Sequence, residues 1–353
     1  MLRTWRQRYT LTDVFIWVIG LAIATAVVWG TISTLRLHLY TASGWLNLTI
    51  KGLALGGVYA LIAMGYTMVY GILKMINFAH SEVFMSGPFT AVFVAQGLSK
   101  TGILDKQPII SIAIIAVVAM AVSAGIALLL ERICYRPLRN APRLVPLITA
   151  IGASFFLQYT FRGLFGSGSF GYPAIKALTQ YWTVAGIHVY KTQAVVIVGA
   201  VVMMLILFGV VQWTKIGKAM RAVSEDKEAA ELMGIDVDKI IVFTFGLGGA
   251  SAGAAGVLYT LLFPVVNFYM GFIPGIKAFT AAVLGGIGNV PGAFLGAIIL
   301  GLLESVGPNL FLTGLGIPSP SQLKDAIAFI VLVLILIFRP TGILGERISK
   351  DKA

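Results

Sequence analysis

The sequence predicts an all-α, polytopic integral membrane helical bundle of about eight full spans plus broken or re-entrant helices. Three observations lead there. The 353 residues are 58% hydrophobic and only 11% charged, with a mean hydropathy of +0.92, whereas soluble domains carry about a quarter charged residues. Several apolar stretches reach the roughly twenty residues that a helix needs to cross a bilayer. Those stretches are continuous rather than alternating, which argues against a β-barrel.

The apolar segments fall near 14–31, 45–72, 83–98, 108–131, 144–165, 192–213, 240–262, 278–303 and 324–338. The first follows Arg3, Arg6 and Arg8 as a signal peptide would, but its apolar run is long and lacks a small-x-small cleavage site. It reads as a retained span. Of the 26 lysines and arginines, 17 lie in that N-terminus, at Lys74, in 131–143, in 215–239 and from Arg339 onward. Basic clusters beside apolar spans set orientation. With an N-terminus inside, six crossings return the chain inside at Lys215, and both basic loops face the cytoplasm. The net charge of +12 thus records topology and needs no nucleic acid partner. One cysteine, Cys134, allows no disulfide within the chain, and His38, His80 and His188 are too scattered to suggest a metal site.

The last third raises a question of parity. A basic tail should end inside, which fails if 278–303 and 324–338 each cross once. The stretch AFTAAVLGGIGNVPGAFLGAIILGLLE is interrupted at Gly285, Gly286, Gly288 and Pro291, and Gly and Pro at that density break a helix. A re-entrant hairpin there restores parity. Broken backbone at membrane depth must be shielded or line a watery cavity, so the bend is a pathway candidate. The segments NFAHSEVFMSGPFTA (77–91) and NFYMGFIPGIKAFTA (267–281) share Asn-Phe and Phe-Thr-Ala at one offset of 190. They suggest an inverted internal repeat, 45–165 against 240–338, with the path between the copies. Gly52/Gly56, Gly249/Gly253 and Gly292/Gly296 keep the spacing that lets helix backbones approach closely.

Intramembrane polar groups are costly and mark function or a buried pair by default. The pathway candidates are therefore Asn77, His80, Ser81, Glu82, Asn267 and Thr280, with Lys277 beside them. For His80 and Glu82 the other reading is a structural polar pair closing a broken helix. Lys277 and Glu304 could instead snorkel to an interface.

Between the sixth and seventh spans, the cytoplasmic loop 214–239 contains SEDKEAAELMGIDVDKI, Ser224 to Ile240, with six of the fourteen acidic residues. Ser224 is a possible N-cap, followed by Glu225 and Asp226 where a helix dipole favours acids. Gly234 suits the C-terminal stop. The result is a short helix of about nine residues whose adjacent alanines sit beside Leu232 and Met233. Such a helix can lie in a partner's groove.

Glu228-Ala229-Ala230, with Gly234 after three further residues, resembles the EAA loop of ABC importer permeases, which docks on an ATP-hydrolysing subunit. GLALGGVYALIAMGYTMVYGILKMINFAHSEVFMSG (52–87), YRPLR (135–139), LITAIGASFFLQ (147–158), KAFTAAVLGGIGNVPGAFLGAIILGLLES (277–305) and PTGILG (340–345) all resemble the branched-chain amino-acid ABC transporter permeases, most of all their first, shorter-loop type. The likeness starts near residue 45 and leaves the N-terminal 44 residues unmatched. It implies a single permease domain in the bacterial inner membrane, both termini cytoplasmic, working with ABC ATPase subunits, a second homologous permease and a periplasmic substrate-binding protein. Glu228, Ala229, Ala230, Leu232 and Gly234 would couple to the ATPase. The chain has no G-x-x-x-x-G-K-[ST] phosphate loop, so ATP and Mg would bind the partner; no cofactor, catalytic residue or metal is expected here. The same likeness admits urea and short amides as cargo. A self-contained channel or secondary transporter could share the repeat but would not need the Glu228-Ala229-Ala230 helix.

Overall fold

The structure is a computed structural model and describes residues 11–139, 141–142, 144–184, 187–339 and 341–345. Arg3, Arg6, Arg8 and Arg143, and the basic tail beyond Gly345, lie outside the described residues. Among the described residues there are thirteen α-helices: α1 (Leu11–Arg36), α2 (Ala42–Leu73), α3 (His80–Lys100), the single turn α4 (Ile103–Lys106), α5 (Pro108–Leu130), α6 (Leu144–Phe165), α7 (Lys191–Trp213), α8 (Lys215–Glu225), α9 (Lys227–Leu232), α10 (Val237–Leu262), α11 (Phe272–Gly285), α12 (Val290–Gly307) and α13 (Lys324–Phe338). Eight helical segments are long and apolar enough to cross a membrane: α1, α2, α5, α6, α7, α10, α12, and α13 together with the 3₁₀ turn Pro320–Leu323 before it. Seven of the nine predicted segments coincide with seven of these within about five residues; 83–98 is α3, and 278–303 divides between α11 and α12. α3 has 21 residues, about 31 Å at 1.5 Å per residue, but carries His80, Ser81, Glu82, Ser86 and Gln96 and is buried along most of its length. α11 has 14 residues, about 21 Å.

Two ends of the bundle are distinct. At one, α8 and α9 line a cleft with Leu73, Lys74, Arg139 and Pro146, the last near the start of α6. At the other, β1 (Phe170–Gly171), after α6, pairs antiparallel with β4 (Val265–Val266), after α10. β2 (Tyr181–Val184) and β3 (Ile187–Tyr190) form a second antiparallel pair in the connection from α6 to α7. These ladders, of two and four residue pairs, gather the backbone of the long connections and are too short to leave a readable periodicity in the sequence.

The helix contacts come in reciprocal sets. α2 lies along α12 as α10 lies along α5, and α10 meets α3 as α11 meets α2. At the centre α2 and α10 cross, the Ser251 hydroxyl donating to the Leu61 carbonyl at 3.3 Å across a sequence separation of 190. That separation equals the offset between 77–91 and 267–281. The chain enters both segments by the same turn, the His80 amide bonding Asn77 O at 3.1 Å and the Met270 amide bonding Asn267 O at 3.2 Å.

The three paired glycines lie where backbones touch. A Cβ on Gly56 would stand 2.9 Å from the Ile298 Cα in α12, one on Gly249 2.8 Å from the Ser123 carbonyl in α5, and Gly292 and Gly296 abut α11. At Gly253 a Cβ would stand 2.5 Å from the Ala119 carbonyl oxygen. Gly253→Leu should therefore abolish accumulation of folded protein, since backbone on both sides cannot yield; Gly253→Ala should cost about 1–3 kcal/mol by overpacking. Thermal unfolding of both variants purified in detergent checks this, and a Leu variant as stable as the parent would refute it.

The hairpin of the last third differs from expectation in one respect. Its first arm, α11, starts shortly after β4. Its bend is not at mid-depth but at the α9 end, where Gly71, near the close of α2, faces the Gly288 carbonyl. α12 continues through a π-turn, Pro308–Leu312, and 3₁₀ turn Thr313–Leu315, giving 26 residues of span length, so that arm is a complete traverse. The unmatched N-terminus also finds its place. α1 packs at the rim against those same turns, Gly30 touching the Phe311 carbonyl, and Trp17 meets Phe338 edge-on with ring centroids 6.0 Å apart.

Candidate functional site

The α8–α9 connection is built from local signals. Thr214 caps α8, its hydroxyl accepting the Gly217 amide at 3.0 Å, and Arg221 turns back to donate to the Val211 carbonyl at 2.5 Å, satisfying the end of α7. Ser224 does not cap the acidic helix. It ends α8, its hydroxyl donating to the Arg221 carbonyl at 2.7 Å. The N-cap is Asp226, extended at φ −150° and ψ 112°, whose carboxylate accepts the Ala229 amide at 3.0 Å. A carboxylate three residues ahead of an available N–H outcompeted the serine two positions upstream, so α9 has six residues rather than nine.

At the other end Gly234 takes φ +83°. Its amide bonds the Glu231 carbonyl at 2.9 Å, and the Ile235 amide bonds the Ala230 carbonyl at 3.1 Å, the paired bonds of a Schellman stop. Asp236 caps α10 immediately afterwards through the Lys239 amide at 3.0 Å; the Lys239 ammonium holds its carboxyl below the usual range. Of the adjacent alanines only Ala230 packs inward. Leu232 and Met233 are 88% and 83% exposed, an apolar pair projecting from an otherwise acidic turn, with Glu228 and Ala229 exposed beside them. Lys227, exposed but near Arg139 and Lys74, has its ammonium pushed below the usual lysine range, first by partial desolvation and then by those two like charges.

The predicted pathway residues are packed away. Asn77, His80, Ser81, Glu82 and Thr280 are all buried. His80 and Glu82 do not pair with each other. The His80 ring fills the notch where α2 and α10 cross, against Gly65 and Gly248, edge-on to Tyr66 with centroids 4.8 Å apart. Glu82 Oε1 accepts from Gln158 Nε2 at 2.7 Å, Ser154 Oγ at 3.2 Å and Ser81 Oγ at 3.3 Å, while Oε2 has no partner. Ser154 and Gln158 were not singled out from sequence, although their i, i+4 spacing on α6 puts both on one face. Asn77 Oδ1 accepts from the Tyr135 hydroxyl at 2.6 Å. Asn267 accepts the Tyr269 amide at 3.2 Å in the turn before α11, and the Thr280 hydroxyl donates to the Ile276 carbonyl of its own helix.

Lys277 and Glu304 do not snorkel. They are 3% and 2% exposed and paired at 2.7 Å; Lys277 also reaches Asp325 at 2.6 Å, and the Tyr59 hydroxyl donates to Glu304 at 3.0 Å. One buried cluster thereby ties α2, α11, α12 and α13. At the bend, Gly286 and Gly288 take φ +105° and +99°. The Leu284 and Gly285 carbonyls, left over at the end of α11, accept the Ile343 and Leu344 amides at 2.8 and 2.9 Å. Asn289 caps α12 through the Gly292 amide and donates to the Leu344 carbonyl; Pro291 sits in the first turn of α12, where no N–H is missed. Among the described residues no three His, Cys, Asp or Glu side chains are grouped to hold a metal.

Comparison with known proteins places the chain in a family. The family profile described as branched-chain amino acid transport system / permease component matches residues 48–336. The high-affinity branched-chain amino acid transport system permease protein LivH of Salmonella typhimurium is 40% identical over 307 residues, covering 86% of this chain and 96% of the relative. BraD of Pseudomonas aeruginosa, described in the same words, is 41% identical over 305 residues with the same coverage. A solved ABC transporter of metal-chelate type, in an inward-facing conformation, is a looser likeness, at TM-score 0.44 and 14% identity over 91% of this chain and 98% of that one. The chain is a multi-pass membrane protein and belongs to the branched-chain amino acid transport system permease family.

Proposed function

We propose that this chain is a permease subunit of an ABC importer for branched-chain amino acids, driven by ATPase subunits on other chains. The observation that carries the reading is α9, a six-residue helix capped at both ends that holds Leu232 and Met233 out from the bundle. Two exposed apolar side chains on a rigid, acidic lever suit a groove on a soluble partner better than they suit water. ATP and Mg bind that partner, and this chain performs no hydrolysis and carries no cofactor. The α9 end is cytoplasmic, both termini lie on that side, and the membrane is the bacterial inner membrane.

The burial of Asn77, His80, Ser81, Glu82 and Thr280 supports a path that does not run through the middle of one chain. It opens at a face shared with a second, homologous permease, and a periplasmic binding protein delivers the amino acid at the β1–β4 end. Displacing a two-state bundle from 1:99 to 99:1 takes about 5.5 kcal/mol, which α9 passes in from the partner. A tagged chain should co-purify with an ATPase, and a deletion strain should lose uptake of labelled leucine but not of labelled urea. Loss of urea uptake alone would reassign the cargo. Labelling of cysteines introduced at 228–233 from outside intact cells would overturn the orientation.

A further inference from the structure

The connector between α5 and α6 carries a polar network that the transport reading above leaves unused. After α5 the chain makes a π-turn, Glu131–Tyr135, and a 3₁₀ turn, Arg136–Leu138. Arg139, which follows, holds two carboxylates at once: Glu131, buried within its own connector, and Asp238, in the first turn of α10. Arg136 grips the other oxygen of Asp238 at 2.6 Å. A carboxylate held through both oxygens by two guanidiniums has fixed geometry as well as attraction. Isolated surface pairs contribute little, but this one is anchored by the buried Glu131.

Asp238 is four residues from Gly234. Between them each backbone junction is tied: the Schellman bonds close α9, and Asp236 caps α10 at once. α9 therefore has no slack relative to Asp238. On the connector's other side, Tyr135 is buried and its hydroxyl donates to Asn77 Oδ1 at 2.6 Å. Asn77 forms the turn that starts α3, the helix whose Glu82 is bonded to α6. A continuous set of contacts runs from α9 through Asp238, Arg136 and Arg139, and Tyr135 to Asn77.

We infer that the Asp238–Arg136/Arg139 clamp and the Tyr135–Asn77 bond are positioning contacts that pass displacement of α9 to α3 and α6 in the first half of the chain. α10, continuous with α9, carries the same displacement into the second half. One lever thus moves both halves of the repeat together. The inference rests on the reading of α9 as the ATPase-docking helix.

The test uses the whole transporter in membrane vesicles and reads leucine uptake per ATP hydrolysed. Asp238→Asn removes the charge at nearly constant shape, and Tyr135→Phe removes one hydroxyl. Each should lower the ratio about tenfold, with hydrolysis and the amount of assembled complex kept. Because the two contacts act in series, the double variant should be no worse than the poorer single one. Exchanging charges in Asp238→Arg/Arg136→Asp should recover part of the ratio, which a general loss of packing would not. If Gly234→Val uncouples uptake while Asp238→Asn and Tyr135→Phe keep the parental ratio, the clamp is not the linkage and the α9 reading stands. If none of the three changes the ratio, the α9 reading fails and the inference with it. Should Asp238→Asn not assemble, Tyr135→Phe alone decides, since it leaves every ion pair in place.

Discussion

Gly234→Val should reduce uptake at least tenfold while partner ATP hydrolysis continues, and Gly234→Asn should transport nearly as well as the parent. The contrast follows from backbone conformation alone. Gly234 sits at φ +83° with open space where a Cβ would go, so no neighbour is struck by either side chain. A β-branched residue is a genuine outlier in the left-handed region, which asparagine enters readily. The cost of about 1–2 kcal/mol per residue falls on a helix of six residues, too short to hold itself. Losing the Schellman bonds from Gly234 and Ile235 releases Leu232 and Met233 from their fixed aim. At 1.4 kcal/mol per decade, that cost accounts for the tenfold loss. Normal uptake by Gly234→Val would mean that the shape of α9 does not matter to transport.

The division between what could be read from sequence and what could not has physical causes. Helices of twenty apolar residues announce themselves through composition, so α5, α6, α7 and α13 fall within a residue of their predicted limits. The Gly-x-x-x-Gly pairs were legible because small residues at one-turn spacing have a single use between helices. The acidic helix was found but its start was misplaced, since Ser224 and Asp226 are both competent caps and only folding decides between them. The bend was found but its depth was not: nothing local tells that residues 343–344 close the end of α11. Tertiary partners were hidden altogether. Tyr135 lies 58 residues from the Asn77 it bonds, and Glu82 lies 76 from Gln158, distances at which only the fold brings side chains together. The pairing of Lys277 with Glu304 was hidden for the same reason: two lone charges in apolar helices also look like snorkelling side chains until they face each other.

That pair carries the second large effect. Lys277→Met should destabilise the protein by about 3–5 kcal/mol, the cost of leaving a buried charge uncompensated. In this variant Glu304 keeps the Tyr59 hydroxyl at 3.0 Å but loses its ammonium, and Lys324, 4.0 Å away and half in solvent, is too distant to replace it. Glu304→Leu should cost less, because Lys277 retains Asp325 at 2.6 Å. The double variant Lys277→Met/Glu304→Leu should regain most of the loss, since apolar residues of similar volume can replace a buried ion pair with little penalty, and Asp325, 42% exposed, can turn to water. Thermal unfolding of the purified variants measures the cycle. A double variant as unstable as Lys277→Met would show that the ammonium is needed by Asp325 rather than by Glu304, placing the anchor of the cluster at α13. Uptake then separates holding from moving. If the double variant is stable and transports, the cluster only fastens α2, α11, α12 and α13 together. If it is stable and silent, those four helices must part and re-form their ion pairs in each cycle, which two methyl-rich side chains cannot imitate.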